Sequence, residues 1–146
     1  MAKTIADLVN RSFLVESWFV DGDRISPDAV SRLAADPRGR FFVAYHAGEP
    51  VGSVYAEVRE DGRGYFGLLS VDESRQGAGV GGALVDYAEG DLRRRGCTSV
   101  EITVVDLRTD LIPYYERRGY HADGRTAPFP RVAKHQCVLL YMSKRL

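Results

Sequence analysis

Gln76-Gly77-Ala78-Gly79-Val80-Gly81-Gly82 is the stretch on which the reading of this chain turns. It follows an apolar run, Phe66-Gly67-Leu68-Leu69-Ser70-Val71, that reads as a buried strand. It leads into Val80, Ala83, Leu84, Tyr87 and Ala88, whose spacing marks one apolar face of a helix. A glycine-rich turn from strand to helix leaves backbone N–H groups unpaired at the positive end of the helix dipole, and that arrangement binds phosphate. Without side chains at Gly79 and Gly81 a ligand can approach the backbone closely. The expectation is a phosphate-bearing cofactor.

Which cofactor is the first choice. Gly77, Gly79 and Gly82 satisfy G-x-G-x-x-G, and Asp106 closes the next strand at about the distance a dinucleotide fold requires. Three observations oppose that reading. Asp72 to Gln76 separate the strand from the first glycine, where a dinucleotide fold runs almost straight in. The segments before the motif look like an antiparallel meander. About forty residues follow Asp106, too few for the remaining crossovers of a doubly wound sheet. A nucleotide P-loop fails because no Gly-Lys-Ser/Thr follows the glycines.

The alternative pattern is Gln/Arg-x-x-Gly-x-Gly, met by Gln76, Gly79 and Gly81, with Leu69 and Val71 in the preceding strand. Downstream stands Tyr114-Tyr115-Glu116-Arg117-Arg118-Gly119-Tyr120, separated from it by one helix and one strand. Together these resemble the coenzyme A signature and the Tyr-Glu-x-x-Gly-aromatic motif of the GCN5-related N-acetyltransferase (GNAT) family, over about residues 40 to 144. The resemblance implies an α/β (α+β) acyl-CoA N-acyltransferase fold, a mixed and mostly antiparallel sheet with helices on both faces. It implies transfer of an acetyl group from acetyl-CoA to a primary amine by direct attack in a ternary complex, with no metal. On the same resemblance the backbone of Leu69 and Val71 meets the pantetheine arm. The loop Gln76, Gly77, Ala78, Gly79, Val80, Gly81 and Gly82 takes the pyrophosphate, and Tyr115 is the general acid beside the sulfur. Arg108 stands where the family often has an asparagine that holds the cofactor arm. A non-catalytic acyl-CoA-binding module is the reading from another class, and a dinucleotide-dependent enzyme is a distant third.

The general base is the open position. Strand Tyr65–Val71 carries no carboxylate, although the family often uses a glutamate near there. Glu57, a carboxylate in an otherwise apolar strand pattern, is slightly preferred. Asp72 is an alternative, and Glu16, Asp21 and Asp23 are others that would act through a water. The acceptor is not readable. The family places it between the link of the first two helices, here about residues 15–25, and the loop before the last strand, here about 125–135. Trp18, Phe19, Asp21, Asp23 and Phe129 in these segments suit a cationic amine held by charge and ring faces.

Composition is that of one domain over residues 1–146, a length that buries a substantial core. Lys plus Arg balances Asp plus Glu, so no global field favours nucleic acid or an anionic membrane. The longest apolar runs fall far short of a membrane span, and no apolar signal core follows Met1-Ala2-Lys3. Cys97 and Cys137 lack a C-x-x-C partner and the three histidines are scattered, which argues against a metal site and for a cytoplasmic protein. A homodimer stays open.

Along the chain, Ile5, Leu8, Val9 and Leu14 predict a first helix over 5–15. Ser26-Pro27 predicts a capped helix to about Ala35. Strands are expected at 39–45 and 51–58, then a hairpin at Asp61-Gly62, a helix from about 79 to 95 ended by Gly96, and a strand at 99–105. A short helix over 110–118 with Thr109 as cap, and strands near Tyr120 and over 136–142, close the chain. The family normally opens with a strand ahead of its first helix. Met1 to Thr4 leave almost no room for one, so either that strand is absent or the chain starts late relative to a longer form.

Overall fold

The computed structural model describes all 146 residues. Strands β1 (Gly39–His46), β2 (Glu49–Val58), β3 (Arg63–Val71), β4 (Ser99–Val105), β5 (His121–Pro128) and β6 (Val138–Arg145) form one sheet in the order β1-β2-β3-β4-β6-β5. Every neighbouring pair is antiparallel except β3 and β4. Helices α1 (Ala2–Ser12) and α2 (Pro27–Ala35) cover one face, and α3 (Val80–Arg94) and α4 (Leu111–Glu116) the other. The alternation of β1 shows why both faces are filled. Phe41 and Val43 pack with Ile5, Val9 and Val30 of α1 and α2, while Phe42 and Ala44 pack on the core that α3 supplies. The mixed, mostly antiparallel sheet with two helical layers agrees with the expectation. Helix α1 begins at Ala2, and β1 is the edge of the sheet on that side.

Local chemistry accounts for the boundaries. Ser26 accepts a hydrogen bond from the Ala29 amide at 3.1 Å with Pro27 in the first helical position, so α2 starts where its cap dictates. Ala47 and Gly48, both at positive φ, close a two-residue hairpin between β1 and β2. In α3, Leu84, Val85, Ala88 and Leu92 are buried at helical spacing against Val54, Ala56 and Phe66. Each such large apolar side chain contributes about 1.5–3 kcal/mol. Gly96 at φ +91° ends the helix, and the Cys97 amide returns to the Leu92 carbonyl.

Several boundaries differ from the sequence expectation, β6 running over Val138–Arg145 where 136–142 is expected. α1 stops at Ser12 and tightens into a 3-10 turn over Phe13–Glu16, since Leu14 and Val15 are exposed and give no packing to continue the α-helix. α4 is capped by Asp110, not Thr109, and Pro113 lies in its first turn, where its missing N–H costs nothing. β5 extends to Pro128, so the first third of the segment read as a loop before the last strand is strand.

Candidate active site

The cleft opens because the one parallel pair in the sheet comes apart. β3 and β4 pair only over Arg63–Tyr65 with Ser99–Glu101, and the remaining residues of both strands diverge. Leu68 sits at φ +55°, where β3 carries one more residue than β2 between the pairs Ser53–Ser70 and Tyr55–Gly67. That bulge bends β3 away from β4. The Asp72 amide donates to the Val51 carbonyl at 2.8 Å, so Asp72 and Ser70 point their backbone groups at β2. By the alternation of an antiparallel ladder, Leu69 and Val71 turn theirs toward β4 and the opening. The result is a cleft of about 920 Å³, lined along one wall by Leu69 and Val71 and along the other by Ile102 to Val105.

The glycine loop closes one end of the cleft. Asp72 accepts from the Ser74 amide and hydroxyl, which starts a short 3-10 turn over Glu73–Arg75. Gly77 and Gly79 follow at φ +84° and +85°, a conformation that any side chain would strain. The first helical bond of α3 runs from the Ala83 amide to the Gly79 carbonyl. The amides of Gly77, Gly79, Val80, Gly81 and Gly82 make no backbone hydrogen bond, and all five residues line the cleft. Those of Gln76 and Ala78 are used internally, donating to the Glu73 and Arg75 carbonyls at 3.3 and 3.2 Å. Gln76 still lines the cleft, with its side-chain amide 3.5 Å from the Val71 carbonyl, whereas Ala78 does not. Five of the seven loop residues read as cofactor contacts therefore present free donors.

Helix α4 lies across this end. Tyr115 is 7% exposed, packed among Phe66, Tyr114 and Tyr120 with ring centroids 5.0–6.1 Å apart, yet it lines the cleft and its hydroxyl bonds to no protein group. Burial pushes its phenol well above the usual tyrosine value, with a smaller contribution from Tyr114. Tyr114 lines the cleft too, at the glycine loop: its hydroxyl accepts from the Arg118 Nε at 3.3 Å and lies 3.5 Å from where a Cβ on Gly81 would stand. Arg118 is a residue the sequence reading passed over. Its guanidinium covers Gly82 so closely that a Cβ there would overlap it, and it stands 3.6 Å from Asp86. The signal was the glycine itself, a small residue under a long cation one helix away.

At the far end the structure separates the proposed bases. Glu57 does not line the cleft. It sits on β2 opposite Tyr65 and Gly39, on the same strand face as Tyr55, whose phenol is pushed up to about 12 by burial and then by the Glu57 charge. Asp72 is occupied with Ser74, and neither Asp21 nor Asp23 lines the cleft. Trp18 does not line it either, lying half exposed with its ring edge-on to Phe19 and tilted against His135. Of the three carboxylates that do line it, Glu16, Asp86 and Asp110, only Glu16 is buried. Its Oε2 accepts from Arg108 Nη1 at 2.9 Å, and Oε1 has no protein partner. Arg108 in turn grips Asp110 through Nε and Nη2 at 3.1 Å. Burial opposes the charge on Arg108, but its bonds to Asp110 and Glu16 more than offset that and hold it above the ordinary arginine value. The place of the family's asparagine is thus filled by a group committed to two carboxylates.

Comparison with known proteins identifies the family of this fold. Residues 4–120 match the model of the acetyltransferase (GNAT) family, and the chain belongs to that family. It is 33% identical over 124 residues to a mycothiol acetyltransferase of Propionibacterium freudenreichii subsp. shermanii, an alignment covering 79% of this chain and 39% of the relative. The chain thus spans about two fifths of that relative's length. In structure it is similar to nourseothricin acetyltransferase (TM-score 0.69, 29% identity, 75% of this chain and 66% of that one). It is also similar to an aminoglycoside 6′-N-acetyltransferase complexed with coenzyme A (TM-score 0.77, 20% identity, 99% and 89%). No helix is long and apolar enough to cross a membrane.

Proposed function

We propose that residues 1–146 form one N-acyltransferase domain that moves an acetyl group from acetyl-CoA to an amine by direct attack, and that it works in the cytoplasm. The observation that carries this reading is a cleft between splayed strands that runs into five unpaired amides at the start of α3, with the Tyr115 hydroxyl facing it. The coenzyme A named with one structural neighbour fits that shape. Its pyrophosphate would take the amides of Gly77 and Gly79–Gly82, with Arg118 and Arg75 supplying positive charge at the rim. The pantetheine arm would add to the free edge of β3, accepting from and donating to Leu69 and Val71. An N–H from the same edge would polarise the acetyl carbonyl as charge develops on its oxygen.

The chemistry then needs little covalent help. Holding amine and thioester in line supplies most of the rate. The amine's proton passes to the open Oε1 of Glu16, the one buried carboxylate in the cleft, and the departing thiolate takes its proton from Tyr115. The acceptors named with the relatives differ from one another, so this chain's acceptor is a question for its own residues.

Binding gives the first test. Acetyl-CoA at about a hundred times its Kd should stabilise the fold by roughly 2.7 kcal/mol, a melting shift on the order of several degrees. A Cβ at Gly79 meets no protein atom, so Gly79→Val puts its methyls in the space where phosphate would lie and forces a branched residue to positive φ. The variant should melt slightly lower and lose the shift. A comparable shift with NAD and none with acetyl-CoA would overturn the cofactor assignment.

A further inference from the structure

We infer that the acceptor is an amine that also carries a carboxylate, and that Arg24 is the residue that selects it; this rests on the acyltransferase reading above. Arg24 lies on the link between Glu16 and α2 and lines the acceptor end of the cleft, partly buried. It pairs with no carboxylate and donates no hydrogen bond to the protein. Its surroundings explain why. Glu16, the acidic neighbour in the cleft, gives Oε2 to Arg108. Arg131, a second guanidinium close by, is spent on the carbonyls of Asp21, Gly22 and Asp23 at 2.7, 3.1 and 3.3 Å, which holds the link in place. What remains around Arg24 is Tyr65 and the ring of Phe13, whose centroid is 5.6 Å from the guanidinium carbon.

A guanidinium taken partly out of water and left without an anion is a cost unless a ligand supplies one. Burial accordingly lowers Arg24 below the ordinary arginine value, with the Tyr65 phenol opposing and Arg131 adding to the shift. The carboxylates expected to hold a cationic amine, Asp21 and Asp23, are not the ones the cleft presents. Those carboxylates lie outside the cleft, Asp21 paired with Lys134 at 3.0 Å, while Arg24, Arg108 and Arg131 line it. With Arg131 held by carbonyls through Nη2, the acceptor end offers one open carboxylate oxygen, on Glu16, and one guanidinium with no hydrogen-bonded protein partner at all, on Arg24. That pair matches the ammonium and carboxylate of an amino acid, with a bidentate bond from Arg24 fixing orientation.

The experiment uses the full chain, acetyl-CoA as donor and a panel of amines in matched pairs. Each α-, β- and ω-amino acid stands beside its carboxamide, with spermidine and kanamycin as polycationic amines. For accepted pairs the carboxylate member should be favoured in kcat/KM by at least about tenfold, in keeping with a site built for a charge-assisted bond. Arg24→Gln should bring that ratio close to one by raising KM with little change in kcat, and Arg24→Lys should keep part of it. The ratio is read within one protein, so a loss of folded enzyme lowers both members equally and leaves it unmoved. Ratios at or below one in the parent, acetylation of the polycations alone, or an unchanged ratio in Arg24→Gln would each overturn the assignment. If acetyl-CoA binds but no amine of any charge is acetylated, the acyltransferase reading falls and takes this assignment with it.

Discussion

Tyr115→Phe should lower kcat about a hundredfold while leaving acetyl-CoA binding nearly intact. The substitution keeps the ring among Phe66, Tyr114 and Tyr120 and removes only the hydroxyl that faces the cleft. A free thiol has a pKa near 8.5, so the departing thiolate is already a fair leaving group, and the benefit of an acid lies at the low end of the roughly hundred- to ten-thousand-fold range. Because burial pushes the phenol further above its ordinary value of about 10, Tyr115 stays protonated in any usual assay. The kcat profile should show no alkaline fall below about pH 10. Tyr114→Phe makes the contrast. It frees Arg118 from its hydroxyl partner, so it should raise the KM for acetyl-CoA severalfold and leave kcat alone. Steady-state kinetics on the two variants settles which tyrosine is the acid: a parent-like kcat in Tyr115→Phe with a large fall in Tyr114→Phe would reverse the assignment.

Arg108→Met should destabilise the fold by about 3 kcal/mol, a drop in Tm on the order of 10 °C. The side chains of Arg108 and Glu16 are 14% and 7% exposed, so removing the guanidinium leaves Glu16 a buried carboxylate with no hydrogen-bonded counter-charge. Asp110, two-thirds exposed, loses a partner without such a cost. The double change Arg108→Met with Glu16→Leu removes both charges and should recover most of the stability while remaining inactive. A single Arg108→Met variant that melts within about a degree of the parent would show that water, not Arg108, satisfies Glu16.

These residues differ in how far the sequence reveals them, and the reasons are physical. The loop and Tyr115 could be read because their chemistry is local. Glycines at a strand-to-helix turn free backbone donors wherever they occur, and a tyrosine four residues before a glycine keeps its place on a short helix. Glu57 and Glu16 show the opposite case. Both are carboxylates among apolar neighbours, and only the folded sheet reveals that β2 keeps Glu57 out of the cleft while the 3-10 turn after α1 carries Glu16 into it. Arg24, in the link expected to face the acceptor, and Arg118, in the quoted motif, carry no role in the sequence because an arginine reads as a solvated surface residue until its partners are counted. Leu68 carries no sign that it will adopt positive φ, since leucine avoids that region. Its conformation goes with the extra residue that β3 carries against β2, beyond the point where pairing with β4 ends, and there the cleft opens.

The most direct test is to incubate the protein with acetyl-CoA and the matched amine panel, titrating released CoA thiol and weighing the products and the protein by mass spectrometry. The account requires one CoA released per N-acetylated amine, release that depends on the amine, and no acetylated protein after incubation with acetyl-CoA alone. Acetyl-CoA bound at the loop with neither CoA release nor N-acetylated product would contradict it and leave a protein that holds the cofactor without using it.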